Sequence, residues 1–426
     1  MEARDTNTRD WRTKLSLGLS GLGIAYFLIQ AISYTVLWVS NFRSPQSGID
    51  QVINYGLLVW SSILSGLMLV PVFLLSLSKL RGQDPPVWLD TSRPTYRKNV
   101  SWLLSLWPVI VLIGWYVADR PMAAAFLLGP INLLVAGLPI LWVYLFASMG
   151  LKRGLQVRQW RIFGFSLTIT PFIVIILELV AILILGGLGA LWVSYRTSVD
   201  LSFERDLTYL FNQVSIYQND LDGLLELLRP AILQPGVIVW VLVLFAGVIP
   251  IIEEVIKTIA LWPMAGQKIT PQEGFVGGLL CGAGFAFIEN VLYFTVSITA
   301  MDWLILAIGR AGTGVLHMLA SGLIGWGLAL AWRDGKWLIL SGTTLFAIIL
   351  HGLWNAVALL TGIASLLFLD NNATVWQNLL YSLPTLILLI ISVIGIGLIS
   401  HHFRKQNHLE SAIIDQDLEN EEQFAN

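Results

Sequence analysis

Ten stretches of this chain stay apolar for about twenty residues or longer, and each is long enough to cross a bilayer as a helix. They fall at roughly 15–40, 52–78, 100–118, 123–150, 161–193, 234–262, 273–299, 303–332, 337–361 and 376–401. A chain built this way is expected to be all-α: a polytopic integral membrane protein of about ten transmembrane helices. Composition agrees. Of 426 residues, 56% are hydrophobic and 12% charged, whereas soluble domains carry about a quarter charged residues. The single cysteine, Cys281, excludes an intramolecular disulfide framework and a multi-cysteine metal site. The first apolar run follows "RDTNTRDWRTK". It is too long for a signal-peptide core and has no clear cleavage site, so it reads as an uncleaved span.

Basic residues orient the spans. With ten crossings, one side holds Arg4, Arg9, Arg12, Lys14, Lys79, Arg81, Arg93, Arg97, Lys98, Lys152, Arg153, Arg158, Arg161, Lys268, Arg333, Lys336, Arg404 and Lys405. The other side holds Arg43, Arg120, Arg196, Arg205 and Arg229. The positive-inside bias then places both termini of this multi-pass chain in the cytoplasm.

Charge within the spans divides the chain. The first five are nearly free of it, with Glu178 the exception, whereas spans six to nine carry Glu253, Glu254, Lys257, Glu289, Arg310, His317 and His351. Ionisable groups at bilayer depth are costly and tend to mark function. The expected organisation is an N-terminal five-helix membrane domain at 1–195, an external amphipathic loop at 196–230, a working bundle at 231–402 and an acidic cytoplasmic tail at 403–426. The loop "VDLSFERDLTYLFNQVSIYQNDLDGLLELLRP" repeats apolar residues near helical spacing, as in a helix lying across a bundle mouth. The tail, with no base after Lys405, has a solvating composition. No Gly-rich phosphate loop and no basic-aromatic surface for nucleic acid is present.

The chemistry is expected in four consecutive spans. In "IPIIEEVIKTIALWP" Glu253 and Lys257 are i,i+4 neighbours and Glu254 and Lys257 are i,i+3, so one lysine offsets part of two negative charges. A structural ion pair is the plainer account of that motif alone. Adjacent residues diverge by about 100° around a helix, so the two glutamates need not share a role. "GGLLCGAGFAFIEN" follows, with Gly277, Gly278, Gly282 and Gly284 admitting a close backbone, and with Phe285, Glu289 and Asn290. Next, "RAGTGVLHMLASGLIGWG" brings His317, two turns after Arg310. "ILHGLWNAVALL" places His351 and Asn355 one turn apart. A lone buried histidine is usually structural. Carboxylates, histidines and an amide on four successive spans are the parts of a water-activating hydrolase. A glutamate would take the proton from water, and a histidine with Asn355 would stabilise the oxyanion.

These residues, in this order, resemble the PrsW family of intramembrane proteases, within the superfamily of CAAX prenyl endopeptidases and bacteriocin-processing proteins. The matching motifs are "EEVIK", "FAFIEN", "HMLASGLIG" and "HGLWN", and the resemblance covers roughly Val237 to Gly362. The CAAX branch is similar but has a His where Glu289 stands and an Arg in place of Lys257. The resemblance implies a glutamate mechanism without metal in a bacterial inner membrane, acting on bacterial membrane proteins such as anti-sigma factors, with a single-span substrate expected. It assigns Glu253 and Glu254 as the base pair with Glu254 slightly favoured, Glu289 and His317 as completing the water site, His351 and Asn355 as oxyanion donors and Lys257 as the partner of the glutamates. Asn290 and Arg310 are supporting residues. Three other readings stay open. One is a zinc metalloprotease using His317, His351 and Glu289. The second is a proton- or ion-coupled transporter, since the same residue types line ion paths. The third is a structural membrane adaptor.

Overall fold

The computed structural model describes residues 6–44, 48–83, 94–214, 216–217, 221–294, 299–367 and 375–425. Among the described residues there are helices and no strand. This is what a hydrocarbon solvent demands, because a helix satisfies its own backbone donors and acceptors. In chain order the helices are α1 (Thr6–Arg43), α2 (Ile49–Leu80), α3 (Pro94–Ala118), α4 (Pro121–Ser148), α5 (Gln156–Val199), α6 (Leu201–Val214), α7 (Leu221–Ile232), α8 (Pro235–Leu242), α9 (Ile249–Lys257), α10 (Pro271–Tyr293), α11 (Ala300–Asp334), α12 (Trp337–Leu367) and α13 (Val375–Ala425). A π-helical segment, Val243–Val248, joins α8 to α9, and a 3₁₀ segment, Thr258–Met264, continues from α9. Among the described residues, nine helical stretches are long and apolar enough to cross a membrane. The remaining expected crossing, 100–118, lies in α3, whose described apolar stretch is Ser105–Ala118. Arg4 and Arg93, counted above among the bases of one side, lie outside the described residues.

The chain forms two compact units, one of Met1–Pro171, Lys257–Ala347 and Leu389–Asn426, the other of Phe172–Ile256 and Ile348–Leu388. In the first, α1 pairs with α2, α3 with α4, and α10 with α11. Helix α10 begins with a capping box. The Thr270 hydroxyl accepts from the Glu273 amide at 3.2 Å, the Glu273 carboxylate accepts from the Thr270 amide at 2.8 Å, and Pro271 occupies the first helical position, where its missing N–H costs nothing. Helix α11 ends at Gly335, whose φ of 68° suits a residue without Cβ.

The α10–α11 contact is set by glycines at four-residue spacing. A Cβ on Gly278 would run into the Ser321 carbonyl, and one on Gly282 would run into the His317 carbonyl. The glycine face read from the sequence thus holds two backbones together. Gly284 serves a different neighbour, meeting Phe163 and Ser166 of α5. Around this contact lies a core that includes Leu261, Ile269, Cys281, Ala320 and Ala329, all buried. The acidic tail, expected to be solvated, continues α13 as helix to Ala425. Its first turns are tied to the end of α4: Arg404 donates to the Met149 and Phe146 carbonyls, both at 3.0 Å, and Asn407 donates to Gly150 O at 2.9 Å. Carbonyls left over where α4 ends are thereby satisfied.

In the second unit the expected external loop is the two amphipathic helices α6 and α7. Asp200 caps α6, its carboxylate accepting from the Ser202 hydroxyl at 2.6 Å and from the Ser202 and Phe203 amides.

Candidate active site

The second unit holds a carboxylate–histidine cluster. Glu253 and Glu254 stand on α9, and His351 on α12; all three are buried, Glu254 completely. His351 lies between the two carboxylates. Its Nδ1 is 2.9 Å from Glu254 Oε1, while its Nε2 is 3.9 Å from Glu253 Oε2. The first is a hydrogen bond; the second is too long for one. An imidazole whose Nδ1–H is held by a carboxylate presents Nε2 in a fixed direction, here toward Glu253. Adjacent glutamates therefore occupy different positions on the ring.

Asn355, one turn beyond His351, donates its amide to Phe245 O at 2.9 Å. Phe245 belongs to the π-helical segment, where the wider turn frees carbonyls from the α-helical ladder. Next to it, Gly352 packs so closely on Ala246 O that a Cβ would clash. So the His351–Asn355 turn grips the non-standard turn that leads into the two glutamates. Nothing in the sequence marks residues 243–248 as π-helical.

The first unit holds a chain of charged groups. Lys257, the last residue of α9 and fully buried, places Nζ 2.7 Å from His317 Nδ1 and 4.4 Å from the centroid of the Phe285 ring. His317 Nε2 is 2.7 Å from Glu289 Oε2. An ammonium can only donate and a carboxylate can only accept, so His317 is neutral with its proton on Nε2. Glu289 also pairs with Arg310 Nη2 at 2.6 Å. Arg310 Nε donates to Asn290 Oδ1 at 2.7 Å, and the guanidinium lies 4.2 Å from the centroid of the Tyr293 ring. Phe285 meets His317 edge to face. The structure thus brings Lys257, Glu289, Asn290, Arg310 and His317 into one network. Tyr293 was not anticipated, although it is one turn from Glu289, where a side chain shares its helix face.

The two clusters meet in sequence on α9, because Glu254 and Lys257 are three residues apart on one helix. The networks also bear on metal binding. Both ring nitrogens of His317 are already engaged, one by an ammonium, and Glu289 is paired with Arg310. A zinc site built on His317 and Glu289 would have to break those bonds. By contrast Glu253, Glu254 and His351 each offer a ligand atom within 4.8 Å of one another. Two carboxylates and an imidazole are a fitting donor set for a divalent ion with an open position.

A family match covers residues 179–391, half of the chain, and that family is described as PrsW family intramembrane metalloprotease. The chain belongs to the PrsW family. It is an intramembrane protease, and its multiple apolar helices make it a multi-pass membrane protein. The match runs from within α5 to within α13 and contains every residue of both clusters. No curated protein and no solved structure matches the chain. Membership removes the transporter and adaptor readings, and α1 to α4 lie outside the matched region.

Proposed function

We propose that this protease cuts a peptide bond in the membrane segment of a single-span protein, with Glu253 as general base. The observation that carries the reading is the placement of His351, hydrogen-bonded to Glu254 on one nitrogen and facing Glu253 with the other. Glu254 then orients the ring. Glu253 takes a proton from water as the hydroxide oxygen bonds to the scissile carbonyl carbon, and returns it to the leaving amine. His351 Nε2, protonated, donates to the developing oxyanion. This exchanges the ranking of the two glutamates that the family resemblance favoured, and assigns Asn355 to holding the helix turn rather than the oxyanion.

The family description favours a second reading of the same residues. Glu253, Glu254 and His351 would hold a zinc ion, which would polarise the carbonyl and make bound water acidic. In either reading a regulatory membrane protein such as an anti-sigma factor is a candidate substrate.

Orientation follows from the bases. Arg12, Lys79, Arg158 and Lys268 line one cavity of the first unit. Arg158 can stand on the side of Lys79 only if α3 and α4 both cross. We infer that α3 is the tenth crossing and that both termini face the cytoplasm of a bacterial cell.

The test compares membrane-protein N-termini in cells carrying wild type or Glu253→Gln at equal abundance. Loss of one cleavage near a transmembrane segment is the expected result, and an unchanged set of termini refutes the proposal. For the purified enzyme, Glu253→Gln should lower kcat by about 10²–10⁴. Activity that survives exhaustive chelation supports the direct glutamate base. Activity lost to chelation and restored by zinc supports the metal reading.

A further inference from the structure

The first unit contains a cavity that the reaction does not use. Its volume is about 1040 Å³, at the upper limit of small-molecule sites. Its walls come from α1, α2, the start of α5 and the 3₁₀ segment with the turn that follows it. Five bases line it, Arg12, Lys79, Arg158, Arg161 and Lys268, against one carboxylate, Glu273. That carboxylate is already taken by Arg158 at 3.1 Å and by its capping role at Thr270.

The bases are not scattered along the walls. Helix α1 carries Arg12 and then runs through Leu15 and Leu19 to Gly23. Helix α2 runs from Leu69 and Val72 to Lys79, and α5 from Arg158 and Arg161 through Phe165 to Ile169. On each helix the charged position and the far apolar position are ten or eleven residues apart. At 1.5 Å per residue that is roughly 15 Å, about half the hydrocarbon thickness of a bilayer. Three helices of alternating direction therefore agree: one end of the cavity is cationic, and beyond it the lining of these helices is apolar apart from Ser16, Ser20 and Thr168, whose hydroxyls are taken up by carbonyls of their own helices.

Arg161 shows what the charged end lacks. Its Nε is buried and has no hydrogen-bond partner among the described residues. Its guanidinium has a 3.3 Å contact with the Thr13 hydroxyl. A buried donor without an acceptor costs free energy that an incoming anion would recover. Guanidinium groups suit phosphate because they can donate in parallel pairs.

We propose that this cavity binds one anionic glycerophospholipid from the leaflet on the side of the bases. Its phosphate is held by Arg161 and Arg12, and its acyl chains lie along α1, α2 and α5. Annular lipid would coat the convex outside of the helices, whereas this occupant sits in a recess. It also touches the reaction's supports, because Ala260, Pro263 and Met264 of its wall belong to the segment that continues directly from Lys257.

The experiment uses native mass spectrometry of the full-length protein in detergent. Phosphatidylglycerol and phosphatidylcholine with identical chains are offered in equal amounts, with and without glycerol 3-phosphate. The expected result is one retained phosphatidylglycerol per chain, preferred at least tenfold over phosphatidylcholine and not displaced by glycerol 3-phosphate. The Arg12→Gln, Arg161→Gln double variant should lose that preference, and Leu19→Trp, which fills the apolar end without changing charge, should lose retention. Arg333→Gln with Lys336→Gln, outside the cavity, should change neither. Displacement by glycerol 3-phosphate would show a free phosphate ligand and overturn the lipid assignment. Equal retention of the two lipids, or full retention by both cavity variants, would overturn the site. If the double variant fails to fold, Leu19→Trp decides alone, and unchanged retention by it refutes the proposal.

Discussion

Gly282→Ala adds one methyl group at the point where α10 meets the backbone of a charged-network residue. The new Cβ would stand 2.7 Å from the His317 carbonyl carbon and 2.7 Å from Met318 Cα, and closer still to the His317 oxygen. Ordinary contact begins at 3.4 Å, so α10 and α11 must separate by about 0.7 Å or more. Backbone atoms cannot rotate away as a flexible side chain can. Alanine in a helix interior gains about 0.5–1 kcal/mol over glycine, while forcing a methylene into a packed contact costs about 1–3 kcal/mol. The net effect is a loss of up to about 2.5 kcal/mol, with a midpoint of about 1 kcal/mol. The functional loss is expected to be larger. Moving His317 by that distance stretches its 2.7 Å bonds to Lys257 and Glu289, and a shift near 1 Å in a catalytic arrangement can cost about 10²-fold. The control is Gly309→Ala on α11, where an added Cβ meets nothing within 4 Å; it should be neutral or slightly stabilising. Thermal unfolding in detergent and cleavage of a single-span reporter in membranes read the two effects. A Gly282→Ala protein as stable and active as Gly309→Ala would refute this account of the helix contact.

Lys257→Met removes the ammonium that donates to His317 Nδ1 and rests on Phe285. Leaving buried polar atoms without their partner costs about 1–3 kcal/mol, so both the unfolding midpoint and the cleavage rate should fall, and Lys257→Arg should restore stability better than activity. Asn355→Leu releases Phe245 O and should lower kcat with little change in KM, because it loosens the turn before the glutamates; an unchanged kcat in the reporter assay would refute the positioning role. Asp200 lies outside the spans, and the Ser202 hydroxyl, then the Phe203 amide, hold its carboxyl below the usual carboxylate range. A depressed carboxylate stabilises the folded form above its unfolded pKa. Protection of the α6 amides from hydrogen exchange should therefore be present at neutral pH, fall as pH drops through and below the ordinary carboxylate range, and be independent of pH in Asp200→Ala.

Much of this was legible because the bilayer simplifies the code. Long apolar runs identify helices, and a charge inside one stands out, so Glu253, Glu254, Lys257, Glu289, Arg310, His317 and His351 could be selected as residues of interest. Their partners were less legible. Helical spacing set Lys257 beside the glutamates, but spacing within one helix says nothing of a neighbour brought by another, and the contact with His317 depends on α10, α11 and the chain after α9 packing together. Asn355 shows a second limit. Helical spacing put this amide one turn from His351, but its acceptor, the Phe245 carbonyl of a π-helical turn, could not be read from the chain, because hydropathy carries no sign of that turn. The acidic tail shows a third. Its composition suits solvent, but Arg404 and Asn407 find carbonyls at the end of α4 that no linear pattern pairs with them.

The charges on either side of Glu254 suggest why α9 carries three ionisable groups in about one turn. The network of Lys257, Arg310 and Glu289, with His317 neutral, has a net charge of +1. On the proposed reading the Glu253–Glu254–His351 cluster has a net charge of −1 when His351 is protonated. Attack by water moves negative charge from Glu253 to the substrate oxygen without changing that sum. Lys257 follows Glu254 by three residues on α9, so helix spacing alone holds a positive charge within about one turn of the glutamates before and after proton transfer. Fixed charges stabilise a transition state without reorganising. On that same reading Glu289, paired with Arg310 and His317, would temper the field of two cations, whereas the family resemblance makes it part of the water site. Replacing Glu289 with Gln would then leave two cations against one another, and the expected defect is a less stable protein whose remaining folded fraction still cleaves. A fully stable but inactive Glu289→Gln protein would instead assign Glu289 to the chemistry.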